Sequence, residues 1–118
     1  EHSRRTLVPK VDFVSAPGTN DGNVFRTGGP IGLVTNRCAF TFADRHFTLA
    51  SVHPGHTLEE VVENTGFEFD RPRSVPETPA PTPETLKLMR EMIAPQLAEV
   101  YPQFAAQVFG VGQPAFAR

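Results

Sequence analysis

From Leu7 to Val14 apolar and polar positions alternate, with Val11, Phe13 and Ser15 on one side. A period of two marks a half-buried strand, and Pro9 belongs at its first residues or on a sheet edge. Ala16 to Pro30 then reads as a loop rich in Gly, Asn, Asp and Pro. At about 15 residues it exceeds ordinary connections, and loops of that length are often functional. Two β-rich runs follow. Gly32-Leu33-Val34-Thr35 leads into Cys38-Ala39-Phe40-Thr41-Phe42, and His46 to Val52 returns after the short polar turn Ala43-Asp44-Arg45. The pattern predicts a hairpin with Cys38, Phe40 and Phe42 on the buried side of one arm. Phe47, Leu49 and Ser51 take the matching positions on the other arm.

After His53-Pro54-Gly55-His56 the period changes from two to that of a helix. Thr57-Leu58-Glu59-Glu60 is a capping-box pattern, in which the Thr57 hydroxyl accepts from the Glu60 N–H and the Glu60 carboxylate reaches back. Leu58, Val61 and Val62 form its apolar stripe, two acids suit the positive end of its dipole, and Gly66 supplies the stop. Phe67 to Asp70 is a brief apolar-acidic alternation. Arg71 to Pro83 contains five prolines and reads as an extended, polyproline-like strap. Thr82 caps a second helix with Pro83 at its first position, and Leu86, Met89 and Ile93 form the buried stripe. Pro95 is expected to interrupt this helix, and Pro102 to open another through Phe109. The Gly/Pro/Ala-rich tail after Gly110 reads as loose. No internal repeat is present.

Composition narrows the class. The 118 residues fit one modest domain, with a 39% apolar share and 21 Pro plus Gly, enough for much irregular structure without disorder. Ten Phe beside one Tyr and no Trp, several in alternating runs, point to buried sheet faces. A formal charge of −2 with mixed signs, and no basic stripe interleaved with aromatics, argues against nucleic acid as a partner. No apolar run approaches a membrane span, and no signal-peptide pattern opens the chain. One Cys precludes an internal disulfide and agrees with a reducing, cytoplasmic setting. The first residue is Glu1 rather than Met, which suggests a start that was trimmed, processed or cut from something longer.

Candidate chemistry is sparse. His53 and His56 have a His-x-x-His spacing, but they bracket a Pro-Gly turn with no acid or thiol ligand suitably placed, so no metal is assigned. His53 lacks a sequence-adjacent nucleophile to serve as base. Cys38 lies mid-strand, where a small apolar side chain is expected, away from anything that would depress its pKa. Gly28-Gly29-Pro30 precedes a strand rather than a helix, so neither nucleotide-binding glycine fingerprint fits. Glu59 and Glu60 are explained by capping. The residues alone therefore give an α/β or α+β domain without an identifiable active site.

Three separated blocks carry a resemblance. Ile31 to Phe42 is similar to a "VVTN-x-x-x-F-x-F" strand, and Phe47 to Phe67 to the "L-HPG-x-T-x-x-x-V-x-x-x-TGF" block after it. His2 to Gly18 resembles "H-x-x-R-x-F-V-x-x-x-DF-x-T-x-PG". In that order they resemble the C-terminal half of the β subunit of family I CoA-transferases, the glutaconate CoA-transferase type, over residues 1 to about 95. The resemblance implies an open mixed α/β sheet of the class shared with sugar-phosphate isomerases, here a partial domain of 1–118 with a β-hairpin and two or three short helices. It also implies an α-subunit partner, the missing N-terminal half of the β subunit, acyl-CoA as ligand and coenzyme A as substrate rather than cofactor.

Such enzymes move CoA between carboxylic acids through a glutamyl-CoA thioester. Their nucleophilic Glu belongs upstream of the matched region, and neither Glu1 nor Glu59, Glu60, Glu63 or Glu68 sits in its motif. No residue is therefore assigned as catalytic. Ser15, Gly18, Asn20 and Asn36 are the candidate positions for a wall of the CoA site. Alternatives are a CoA-thioester hydrolase relative of ring degradation that lacks the Glu, and a non-catalytic binding or assembly module. A sugar-phosphate isomerase relative rests on fold analogy alone.

Overall fold

A computed structural model describes residues 1–19 and 28–110. Two compact units emerge, Glu1–Pro79 and Ala80–Arg118.

The first unit is built on three antiparallel strands in the order β1-β2-β3: β1 (Gly32–Val34), β2 (Cys38–Ala43) and β3 (His46–Val52). Asp44 and Arg45 alone connect β2 to β3, with φ of 51° and 62°. Two consecutive left-handed residues are the signature of the two-residue hairpin turn whose twist matches that of the strands. Cys38, Phe40, Leu49 and Val52 lie buried together, joined by Val61 of helix α1 (Leu58–Asn64). Phe40 is the hub of an aromatic cluster, with ring centroids 5.9 Å from Phe47, 5.2 Å from Phe69 and 5.9 Å from Phe67.

A bulge alters the facing of β3. Phe40 pairs with Leu49 but Ala39 pairs with Ser51, which leaves Ala50 as the extra residue. Beyond it Val52, not Ser51, shares the core side with Cys38. Ser51 is buried on the other face, where its hydroxyl meets Thr78 Oγ1 at 2.6 Å.

The expected strand over Leu7–Val14 does not form. Ser3 to Leu7 closes a turn, with the Leu7 N–H on the Ser3 carbonyl at 2.8 Å, and the segment after it pairs with no strand among the described residues. Its alternation has no sheet to fill: Phe13 is 82% exposed, and Val11 and Val14 are also exposed. Gly66 is likewise not a left-handed cap. The helix ends at Thr65 with extended backbone, and a Cβ on Gly66 would collide with the Leu7 carbonyl oxygen, which accepts from the Gly66 N–H at 2.7 Å. Glycine is needed there for close backbone approach.

The strap runs beside β3 in parallel sense, bridging at Thr48/Asp70 and Val52/Glu77. The sheet proper is thus antiparallel, and the mixed character expected for it comes from these two bridges.

The second unit is helical: α2 (Pro83–Leu88), a π-helical turn (Met89–Ile93), α3 (Ala94–Val100) and α4 (Pro102–Phe109). Thr82 caps α2 by accepting from the Thr85 N–H at 3.2 Å. Pro95 does not stop the helix as expected. The turn before it widens, with the Ala94 N–H reaching the Met89 carbonyl, and the chain continues helically to Val100. Leu86 and Met89 are half-buried, whereas Ile93 is exposed. Gly110 caps α4 in the left-handed conformation, and the tail beyond it lies outside the described residues. No helix among the described residues is long and apolar enough to cross a membrane.

Candidate functional site

Polar side chains converge at one end of the first unit's sheet. There the Thr35–Arg37 turn between β1 and β2, the His53–His56 turn before α1, and His2 meet. His2 is 1% exposed, with Nδ1 2.7 Å from Thr35 Oγ1 and Nε2 2.8 Å from Thr65 Oγ1. The remaining bonds of the two hydroxyls assign the ring proton. Thr65 Oγ1 donates to the Val61 carbonyl at 2.6 Å, so it accepts from His2 Nε2–H. Thr35 Oγ1 already accepts from the Arg37 and Cys38 N–H groups at 3.1 and 3.2 Å, so its own proton goes to Nδ1. His2 is therefore a neutral Nε2–H imidazole. Burial, reinforced by the nearby Arg37 charge, holds its pKa below the ordinary histidine value. Cys38 Sγ lies 3.8 Å from Nδ1, and burial pushes its thiol pKa up, as suits a core residue rather than a nucleophile.

Arg37 extends the network outward. Its Nε donates to the His2 carbonyl at 3.2 Å and a terminal nitrogen to Glu60 Oε2 at 3.0 Å; that same oxygen is 2.9 Å from His56 Nδ1. The hydrogen bond from His56, then the two positive neighbours, hold the Glu60 carboxyl below the usual carboxylate range. Only half of the expected capping box forms. Thr57 Oγ1 accepts from the Glu60 N–H at 3.2 Å, while the Glu60 carboxylate turns to Arg37 and His56.

His53 joins this end of the sheet to the strap. Its Nε2 sits 2.8 Å from the Thr35 carbonyl and must donate there, so Nδ1 accepts from Thr78 Oγ1 at 2.7 Å and Thr78 in turn accepts from Ser51. A hydroxyl within proton-transfer distance of an oriented imidazole is the local geometry of a nucleophile and its base. Sequence spacing did not reveal this partner, because Thr78 is 25 residues away. Here Thr78 and Ser51 form a half-buried clip between strap and strand.

Among the assigned CoA-site positions, Asn36 stands exposed at the tip of the turn that His2, Arg37 and His53 hold in place. Ser15 and Gly18 are exposed and take no part in this network; Gly18 lies against Gly29 and Pro30, where an added Cβ would sit 3.2 Å from the proline ring. Asn20 lies outside the described residues. The structure thus ties one of the four to the polar cluster, and sequence reasoning missed His2, Thr35, Thr65 and Thr78. The "H-x-x-R" start was the one available hint of His2. His46, at the start of β3, pairs with Asp70 at 2.8 Å on the rim of a groove of about 550 Å³ that also takes in Arg4, Thr65, Phe69 and Arg71. Among the described residues no group of three His, Cys, Asp or Glu side chains is placed to hold a metal ion.

No protein-family model matches the sequence. Individual proteins do. The chain is 33% identical over 102 residues to the β subunit of 3-oxoadipate CoA-transferase from Pseudomonas knackmussii, covering 80% of this chain and 39% of that protein. It is 36% identical over 104 residues to the β subunit of glutaconate CoA-transferase from Acidaminococcus fermentans, again covering 80% and 39%. The crystal structure of glutaconate CoA-transferase from that organism matches with a TM-score of 0.68 at 33% identity, over 83% of this chain and 41% of that one. Rhodococcus jostii IpdAB matches with a TM-score of 0.69 at 33% identity, over 77% and 39%. The chain thus spans about two fifths of the length of the curated relatives it matches. Sequence and fold agree: over about two fifths of their length, the chain is similar to the β subunits of CoA-transferases of the glutaconate CoA-transferase type.

Proposed function

We propose that these residues form part of the β subunit of an enzyme that moves CoA between carboxylic acids, in assembly with an α subunit and the remainder of the β subunit. Coenzyme A is a substrate in this reading, and no further cofactor is involved. A glutamate carboxylate from outside this chain attacks the acyl-CoA carbonyl and expels CoA thiolate, giving a mixed anhydride. The thiolate then attacks the glutamyl carbonyl and releases the first acid, leaving a glutamyl-CoA thioester. The acceptor carboxylate repeats both steps in reverse. Splitting the exchange this way replaces one hard displacement by easier ones.

The residues described above contribute scaffold. His2, Arg37 and His53 fix the Thr35–Arg37 turn from three directions, and that turn carries Asn36 at its exposed tip. Asn36, with Ser15, Gly18 and Asn20, supplies wall to the CoA site. The observation that carries the reading is the joint match in sequence and fold to glutaconate CoA-transferase.

A second reading has its own support, since a cholesterol ring-cleaving hydrolase IpdB subunit of Rhodococcus jostii is 32% identical over 102 residues. In it, water rather than a carboxylate receives the acyl group. One assay separates the two. The assembled enzyme is given an acyl-CoA and an isotopically labelled acid, and products are followed by mass spectrometry with hydroxylamine added to trap an enzyme thioester. Transfer requires a labelled acyl-CoA and a glutamyl hydroxamate. Free CoA, or net addition of one water to a cyclic acyl-CoA, without labelled thioester supports hydrolysis, and none of these products leaves an assembly module.

A further inference from the structure

The two outer edges of the three-stranded sheet are finished differently. Along β3 lies the strap: the Leu49 N–H donates to the Asp70 carbonyl at 2.7 Å, and the Thr78 N–H to the Val52 carbonyl at 2.8 Å. Along β1 no such cover exists among the described residues, since its one sheet neighbour is β2.

The pairing with β2 fixes which backbone groups of β1 are spare. The Phe42 N–H donates to the Ile31 carbonyl at 3.0 Å and the Thr35 N–H to the Cys38 carbonyl at 2.9 Å. Hydrogen-bonded positions alternate in an antiparallel ladder, so Ile31, Leu33 and Thr35 address β2. The N–H and C=O groups of Gly32 and Val34 point away from the sheet. Side chains along this edge are apolar: Ile31 is 86% and Val34 75% exposed. Residues 31–34 contain no charge and no proline, the usual devices that keep a true edge from pairing. Most of a complete β subunit lies outside these residues, since the relatives match over 39% of their length.

From this we infer that β1 is an interior strand of the complete sheet. Its partner is an extended, largely uncharged segment of the same β subunit from outside these 118 residues, hydrogen-bonded through Gly32 and Val34. The inference rests on the CoA-transferase reading above and names the segment's docking line within it.

Residue-resolved amide exchange tests it, comparing the assembled enzyme with a dilute solution of this chain. Thr35 and Phe42 amides, already in the ladder, should be protected in both. Gly32 and Val34 amides should exchange on the order of a hundredfold more slowly in the assembly. If the assembly transfers CoA while Gly32 and Val34 exchange freely, the docking line is wrong and the functional reading stands. Protection in an assembly without CoA-thioester chemistry supports the docking line and overturns the functional reading. Protection in this chain alone overturns the inference either way: concentration-dependent protection assigns the edge to a second copy, concentration-independent protection to the chain's own residues. Val34→Pro adds a second readout, since it deletes a donor that does not face β2. It should weaken assembly at least about tenfold with Thr35 and Phe42 still protected; unchanged assembly overturns the inference, and if the hairpin is lost the exchange data decide.

Discussion

Replacing His2 should damage this protein more than any change at its three less buried histidines. The ring fills a fully packed position between the Thr35 turn and the end of α1, and both nitrogens are bonded. His2→Ala opens a cavity comparable to those left by other large buried side chains, at a cost of about 2–4 kcal/mol. Two buried hydrogen bonds add about 1 kcal/mol each. Neither threonine is stranded, because Thr65 keeps the Val61 carbonyl and Thr35 keeps two backbone amides, so no further desolvation penalty applies. The expected loss is about 4–6 kcal/mol, a large share of the ~5–15 kcal/mol that holds an ordinary domain together. His2→Phe restores the ring volume and should leave the hydrogen-bond part, about 2 kcal/mol.

The pH dependence has a definite sign. The folded pKa of His2 lies below its unfolded value of 6.5, so the unfolded chain takes the proton first. Its contribution is therefore complete above that value. It declines as pH falls through 6.5, and the loss levels off once pH drops below the folded pKa. Urea titrations of wild type and His2→Phe at a series of pH values isolate this residue from the other three histidines. The wild-type curve should fall toward acid relative to the variant. A difference that is flat across pH 5–8, or an alanine variant losing under about 1 kcal/mol, would refute the reasoning.

Gly66→Ala should cost about 2–4 kcal/mol in thermal unfolding, because its Cβ meets the Leu7 carbonyl backbone rather than a side chain that can yield; a neutral result would mean the N-terminal turn can move away. Arg45→Gly should stabilise the hairpin by about 0.5–1 kcal/mol by relieving a left-handed residue, read by chemical denaturation. Glu60→Gln should lower stability slightly at low salt, with the difference from wild type shrinking as salt rises, because both of its ion pairs are partly exposed. Its carboxylate contribution is present above the unfolded pKa of 4.5 and is lost as pH falls through the lower folded value.

Much of the fold was legible because its causes are local. The hairpin follows from alternation on either side of Asp44-Arg45, and α1 and α2 from threonines three residues before a helical N–H. What escaped depends on distance along the chain. His2 meets partners 33 and 63 residues away, and an alternating segment such as 7–14 becomes a strand only if another strand lies beside it. Gly66 carried a helix-stop signal that was correct about place and wrong about cause. Pro95 was overread, since a widened turn supplies a route past a missing N–H that no sequence rule registers. The polar cluster was hidden for a simpler reason: threonine is common in strands and caps, so Thr35, Thr65 and Thr78 announced nothing until folding gathered them.

The bulge at Ala50 constrains how this segment can vary in length. Up to Leu49 the odd-numbered residues of β3 face inward, and from Val52 the even-numbered ones do. Loss of that single alanine would set Ser51 directly after Leu49 and restore strict alternation with the facing unchanged, Ser51 still opposite Ala39 and toward the strap and Val52 still opposite Cys38 in the core. Neutral drift can therefore remove position 50 without exchanging inside for outside, whereas a one-residue loss at Thr48 would set Leu49 opposite Thr41 and turn it out of the core.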